Sequence, residues 1–395
     1  MTTVIVQDSS ATQSDTTRVS GLNRRRGTMD RKFQTLLAAA DIRIDGTRPW
    51  DLSVHDPRMV RRVLLHGSLG AGEAYMDGWW DCERLDELFT RLMDAQVDGC
   101  VGQLHERIAT VLARLRNAQS RGRAFQVGEH HYDAGDDLYG GMLDPRMIYS
   151  CGYWRHTNDL ATAQEHKLDL VCRKLRLQRG MRVLDIGCGW GGAAQFAAER
   201  YGVEVTGVTV SRNQALAARE RCRGLPVEIL LQDYRDLQGR FDRIYSLGMF
   251  EHVGPRNYRA YFTKVRELLA PDGLFLLHTI GANHSSKTTD PWIERYIFPN
   301  SIIPAMTQIA TAVERQWVIE DWHGFGPDYD RTLMAWLARF DAHWPHIAPQ
   351  YGERFKRMWR YYLQICAASF RARRNQLWQV LLSPRGVHGG LAEIR

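Results

Sequence analysis

The sequence predicts an α/β fold, an open doubly wound sheet preceded by a smaller, mainly helical domain. Two observations carry this reading. The apolar run Val183-Leu184-Asp185-Ile186 passes into Gly187-Cys188-Gly189-Trp190-Gly191-Gly192 and then into a helical pattern. That is the strand, glycine turn and helix of a nucleotide-binding βα unit. From about residue 129 onward, strand-like runs alternate with helical ones, as they do where helices cover both faces of a sheet.

Taken in order, residues 1–28 are rich in Ser, Thr, Asp and Gln and carry the triplet Arg24-Arg25-Arg26. They read as a disordered tail whose charges are solvated. A first domain spans 29–115 and holds Gly67-Ser68-Leu69-Gly70-Ala71-Gly72, the aromatic stretch Tyr75-Met76-Asp77-Gly78-Trp79-Trp80 and a helical pattern over 85–95. Residues 116–128 read as a linker, and 129–395 as the cofactor-binding domain. Strands are expected at 182–186, 203–209, 227–231, 242–247, 273–280, 316–322 and 376–382. Helices are expected near 191–201, 212–222, 256–269, 328–343 and 350–370. Ligands of such sheets gather at the carboxyl ends of the strands. Glu251, after the fourth strand, and His278, near the end of the fifth, therefore point to the same edge as the glycine turn.

Bulk composition narrows the partners. Among 395 residues, 52 Lys and Arg stand against 45 Asp and Glu, a net charge of +7; this mild excess suits an anionic partner such as a phospholipid surface. Twelve Trp add side chains that favour boundaries between apolar and wet surroundings. The seven cysteines are scattered without a C-x-x-C pair, which argues for reduced thiols in a cytosolic compartment and against a zinc site. No run reaches the roughly 18 apolar residues of a membrane span, so contact with lipid is expected to be peripheral, from the cytoplasmic face.

The glycine turn alone does not choose between dinucleotides and other nucleotides. A dinucleotide site wants an acid at the end of the second strand, where this chain has Thr209-Val210-Ser211. Asp185, at the tip of the first strand, instead offers a carboxylate to a cationic amino group. A nucleoside with a positive amino-acid tail, such as S-adenosylmethionine, meets both conditions. Thr209, Ser211 and Gln214 are placed to hydrogen-bond ribose hydroxyls, although Ser211 also reads as a helix cap. Asp233 is placed to accept from an adenine amino group, and Tyr234 to cover the ring. Glu251-His252 matches no metal-ligand spacing. Cys151, Glu251, His278 and Tyr329 each have an ordinary structural role when taken singly.

A set of motifs brings them together. They include Tyr149-Ser150-Cys151-Gly152-Tyr153-Trp154, the glycine turn, Gln232-Asp233-Tyr234-Arg235-Asp236 and Gly248-Met249-Phe250-Glu251-His252-Val253-Gly254. Leu276-Leu277-His278-Thr279-Ile280-Gly281, Asp328-Tyr329-Asp330 and Glu129-His130-His131-Tyr132-Asp133 complete it. With these the chain, from about residue 40 onward, resembles the cyclopropane-fatty-acyl-phospholipid synthases and, more broadly, the mycolic-acid cyclopropane synthases. The resemblance implies a class I methyltransferase (Rossmann-like) sheet of seven strands with an acyl-chain tunnel over it. It implies that Tyr149, Ser150, the run Val183, Leu184, Asp185, Ile186, Gly187, Cys188, Gly189, Trp190 and Gly191, the stretch from Thr209 through Ser211 to Gln214, and Asp233 and Tyr234 hold S-adenosylmethionine. It further implies that Cys151, Glu251, His278, Ile280 and Tyr329 surround a bound bicarbonate. Cys366 matches a cysteine sometimes marked as an active-site residue of the family, yet methyl transfer to an alkene requires no covalent enzyme intermediate.

The activity so implied is ring formation on the cis double bonds of unsaturated acyl chains in phospholipids. Glu251 is expected to stay ionised and orient the bicarbonate, with Tyr153, Trp154 and Phe250 offering aromatic faces to cationic charge. The expected partners are phospholipid, a peripheral membrane surface and a second copy in a homodimer. Nucleic acid is not among them, because no N-P-P-Y-type tetrad follows the fourth strand. For lipid contact the sequence offers Trp79-Trp80 and the basic segment 353–374, whose Phe355, Met358, Trp359, Tyr362 and Cys366 recur at helical spacing.

Overall fold

The computed structural model describes residues 31–97 and 135–395, which fall into two compact units. The expected tail (1–28), the linker (116–128) and the motif 129–133 lie outside the described residues.

In the N-terminal unit a two-residue ladder, β1 (Ser53–Val54) against β2 (Trp80–Asp81), sits beside helices Arg58–Met76 and Leu85–Asp94. The first helix breaks at Gly67, whose φ of 57° and ψ of −134° suit glycine alone. Phe33, Leu37, Leu52, Met59, Tyr75, Trp80, Leu85 and Leu88 are buried in this unit. Trp80 donates its indole N–H to the Ala71 carbonyl at 3.0 Å. Its neighbour Trp79 carries the guanidinium groups of Arg58 and Arg62 on its ring at 4.7 and 4.8 Å. Trp79-Trp80 is thus committed within its own unit, one ring as core and the other under two cations.

The larger unit holds a seven-stranded sheet. Its strands are β3 (Arg182–Ile186), β4 (Glu204–Thr209), β5 (Val227–Leu231), β6 (Phe241–Leu247), β7 (Leu269–Ala282), β8 (Val318–Gly324) and β9 (Asn375–Ser383). Their order is β5-β4-β3-β6-β7-β9-β8. The pairs from β5 to β7 are parallel, and β9 lies antiparallel to both its neighbours. Side chains alternate as a two-sided sheet requires. Leu184 and Ile186 enter a core with helix Tyr258–Leu268, while Val183 enters another with helices Leu160–Lys174 and Gly192–Tyr201.

All seven expected strands are present. β7 starts earlier than expected because Leu269 pairs with Phe241 across an irregularity, where Pro271-Asp272-Gly273 reads as a turn. The two expected late helices follow one another within Pro327–Arg371, which breaks at Gly352 (φ 73°, ψ 166°) just after Pro345 and Pro349. Helix Leu160–Lys174 was not anticipated. Its buried stripe includes Gln164, Lys167 and Lys174, and polar side chains in those places erase the apolar period.

Segment 353–374 closes on the protein interior. Trp359 and Tyr362 are buried, and Trp359 packs against Tyr139 and Phe355. Arg360 pairs with Asp341, Arg371 with Asp330, and Lys356 lies over Trp344. The apolar stripe is the core face of the helix at Trp359 and Tyr362, while Phe355, Met358 and Cys366 stay half-buried. Among the described residues no helix is long and apolar enough to cross a membrane.

Candidate active site

The strand order reverses where β3 lies between β4 and β6, and a cleft of about 270 Å³ opens there at the carboxyl ends of the strands. The turn after β3 adopts left-handed backbone at Gly187 (φ 82°) and Gly191 (φ 80°). The N–H groups of Gly187 and Cys188 both donate to the Val208 carbonyl, at 2.9 and 3.0 Å, tying the turn to β4. The turn hands the chain to helix Gly192–Tyr201, whose first residues, Gly192 and Ala193, line the opening.

Tyr149, Ser150, Asp185, Ile186, Gly187, Cys188, Gly189, Trp190, Thr209, Gln214, Asp233 and Tyr234 all line this cleft. Other expected cofactor residues stand outside it. Val183 and Leu184 point into the two cores, as mid-strand residues must. Gly191 caps the helix against Ala218. Ser211 caps the next helix, its hydroxyl accepting from the Gln214 N–H at 3.3 Å. Met147, Ile148, Met249, His252, Asn257 and Asn300 also line the cleft. Met249 and His252 fall inside a motif already noted, whereas nothing in the local sequence marks Asn257 or Asn300.

Asp185 is 1% exposed, and its Oδ2 has no hydrogen-bond partner. Burial pushes the carboxyl up to about 7, against the lowering effects of Tyr245 and Lys167. A buried carboxylate with an open acceptor suits an ammonium group. Thr209 Oγ1 donates to Gln214 Oε1 at 3.0 Å, a pair facing the cleft beside β4. Asp233 is already engaged by Arg235, whose Nε reaches Oδ1 at 2.8 Å. An adenine amino group would share that carboxylate, which has further lone pairs to offer. These residues fit an adenosyl group with a charged amino-acid tail.

A second, drier set adjoins the cleft. Glu251, in the short helical turn Phe250–His252 after β6, accepts the Ile280 N–H on Oε1 at 2.7 Å. Its Oε2 is buried without a hydrogen-bond partner. His278 pairs with Leu247 across β6 and β7, and its Nε2 is likewise buried and unpartnered. Cys151, Tyr153, Phe325 and Leu377 form one apolar cluster against which Ile280 and Tyr329 pack. The Phe325 ring lies 5.8 Å from that of His278. One run of contacts therefore joins Glu251, Ile280, Tyr329, Cys151 and His278. Orphaned polar atoms on Glu251 and His278 inside an apolar shell fit a small polar guest such as bicarbonate.

Burial sets the ionisation states here. It raises the Glu251 carboxyl to about 7, against the Ile280 N–H, so its surroundings work against the ionised form expected of it. It holds the His278 imidazole neutral, well below its ordinary range. It also keeps the Cys151 thiol protonated. Thr332, which the sequence did not mark, fixes the loop beside Cys151. Its hydroxyl oxygen accepts from the Gly152 N–H at 3.1 Å and from the Trp154 indole at 2.8 Å.

The aromatic expectations divide. Tyr153 belongs to the cluster around Cys151. Trp154 is held by Thr332 and covered by the Arg331 guanidinium at 4.7 Å. Phe250 is fully buried and stacked on Tyr258 at 4.3 Å, which makes it core. Cys366 is half-buried in helix Pro327–Arg371, and desolvation pushes its thiol up to about 12. A thiol so protonated is a poor nucleophile. Among the described residues no cluster could hold a metal ion.

Residues 119–380 match the family described as mycolic acid cyclopropane synthetase. The chain is 55% identical over 364 residues to the cyclopropane-fatty-acyl-phospholipid synthase of Escherichia coli K12, covering 91% of this chain and 94% of that one. It is 33% identical over 359 residues to the tuberculostearic acid methyltransferase UfaA1 of Mycobacterium tuberculosis, 85% of this chain and 83% of that protein. Among solved structures, the cyclopropane synthase MmaA2 from Mycobacterium tuberculosis superposes with a TM-score of 0.61 at 32% identity, covering 65% of this chain and 97% of its own. The mycolic acid cyclopropane synthase CmaA1, complexed with SAH and CTAB, gives 0.61 at 33% identity, with the same coverage. The chain belongs to this family of S-adenosylmethionine-dependent methyltransferases, that of the cyclopropane-fatty-acyl-phospholipid synthase and the mycolic acid cyclopropane synthetases.

Proposed function

We propose that this chain converts the cis double bonds of unsaturated acyl chains in membrane phospholipids into cyclopropane rings, using S-adenosylmethionine as the one-carbon donor and bicarbonate as the base. The observation that carries the reading is the buried set of Glu251, Ile280 and His278 linked to Cys151 and Tyr329 near the cleft after the glycine turn. Its support from relatives is the match over 91% of the chain to a cyclopropane-fatty-acyl-phospholipid synthase.

S-adenosylmethionine, when bound, supplies a methyl group on a sulfonium, an electrophile strong enough for an isolated alkene. The protein's task is to place and protect. Asp185 holds the ammonium of the tail, Thr209 and Gln214 the ribose, and Asp233 and Tyr234 the adenine, so that the methyl faces the acyl chain in line. Transfer leaves positive charge on the acyl chain, which water would quench; the apolar walls built from Tyr153, Phe325 and Leu377 exclude it. One proton must then leave the transferred carbon as the second C–C bond closes; bicarbonate, held by Glu251 and His278, would supply the base. Neutral His278 and a protonated Glu251 can each hydrogen-bond such an anion without adding negative charge, and Tyr329 closes the side next to Ile280.

The protein is proposed to work from the cytoplasm, peripherally on the inner face of the membrane, as a homodimer. The direct test is mass spectrometry of lipids from cells expressing the chain. Unsaturated phospholipid chains should gain one CH₂ and resist hydrogenation. A gain that disappears as unsaturation on hydrogenation, or a saturated methyl branch, would replace ring formation with the simple methylation that the name of UfaA1 describes.

A further inference from the structure

Lys167 is wholly buried in helix Leu160–Lys174, yet no carboxylate among the described residues lies within ion-pair distance of it. Its Nζ donates to Ser150 Oγ at 2.8 Å. One turn earlier on the same helix, Gln164 donates to the Ser150 carbonyl at 2.8 Å. Two buried polar side chains thus grip a single serine that lines the cofactor cleft. An ammonium left without an anionic partner in the interior is costly. Burial lowers the group to about 8, with Asp144, Cys151 and Asp185 acting the other way.

The hydrogen-bond chemistry gives this arrangement a direction. An ammonium has three donors and no acceptor, so Ser150 Oγ must spend a lone pair on Lys167. The serine hydroxyl proton is thereby turned away from the lysine and left for an acceptor. Asp185 shares the cleft with Ser150 and is close enough to Lys167 for that charge to act on it. This end of the cleft is therefore the one that receives the charged tail. Asp185 answers the cation of that tail, and its carboxylate still needs donors and a counter-charge.

We propose that Lys167 is a positioning residue for the cofactor's methionyl carboxylate: it fixes Ser150 as a hydrogen-bond donor and supplies the buried positive charge that the carboxylate neutralises. This rests on the S-adenosylmethionine reading of the cleft. Lys167 and Asp185 then form a matched pair, each reading one charge of the zwitterionic tail.

Calorimetry on the full chain, with S-adenosylmethionine and its decarboxylated form as titrants, tests this. The decarboxylated form keeps the nucleoside, sulfonium and ammonium and lacks only the carboxylate. Lys167→Met should weaken S-adenosylmethionine by roughly ten- to a hundredfold, the scale of a charge-assisted hydrogen bond, and leave the decarboxylated form within about twofold. Ser150→Ala should show the same selectivity, and the double variant should lose no more than the worse single one. Asp185→Asn should weaken both ligands. Equal weakening of both by Lys167→Met, or no effect on either, overturns the role. If Lys167→Met does not fold, Ser150→Ala decides by the same comparison. If the unaltered chain binds neither ligand, the cofactor reading itself falls, a result distinct from loss of selectivity.

Discussion

Asp185 ends β3 as an acid in a place that strips it of water. Its raised pKa, from 3.8 to about 7, means that between those values the free folded protein holds a proton the unfolded chain would release. By linkage the group favours the ligand-free fold at low pH, and this contribution is lost as pH rises through about 7. A cationic ligand reverses the preference and expels the proton. Near pH 6, S-adenosylmethionine binding should therefore release up to about one proton, seen by calorimetry in buffers of different ionisation enthalpy. Asp185→Asn should abolish the release, and an unchanged value would assign it elsewhere. Glu251→Ala and His278→Ala should keep cofactor affinity within about threefold while ring formation falls by at least about a hundredfold. Equal turnover in either variant would remove the base-site assignment. At this scale the sequence marked Asp185, Thr209 and Gln214 by position relative to a strand end. Lys167 escaped, since the helix that buries it carries no legible apolar period and a lone lysine reads as solvated.

Among the elements, the glycine turn and its helix do the most to build the site, and one contact there reverses a simple expectation. Exchanging a helical glycine for alanine usually stabilises by about 1 kcal/mol. At Gly192, however, a Cβ would stand 2.0 Å from the Arg146 carbonyl oxygen, so the loop that carries Tyr149 and Ser150 would have to move. Gly192→Ala should destabilise the fold by about 2–4 kcal/mol in denaturant melts and weaken cofactor binding as well. A variant as stable as the parent would show that the loop yields freely. Strand positions were legible because apolar runs bounded by turn residues have few other uses. Helix Leu160–Lys174 was not, because its buried stripe carries Gln164, Lys167 and Lys174 where a period of apolar residues would be sought.

For the whole molecule, the surfaces that sequence alone offered to the bilayer are partly engaged within the protein. Trp80 is core, Trp79 lies under two arginines, and the stripe around Trp359 faces inward. Membrane association should then rest mainly on the net charge of +7. The full chain is expected to co-sediment with vesicles rich in anionic lipid and to leave them as ionic strength rises from about 0.05 to 0.5 M, where screening shortens to a few ångströms. Binding that ignores salt would point to a buried apolar anchor instead, and failure to bind at low salt would remove the peripheral role. By itself the sequence determined the α/β class, the strand positions and most of the residues that line the cleft, because alternation and glycine turns are local signals carried by neighbouring residues. Only the tertiary structure decided which charges lack partners, which aromatics are core, and that Glu251 and His278 each bury a polar atom without a hydrogen-bond partner. Burial and pairing are properties of residues brought together from distant parts of the chain, and no local pattern encodes them.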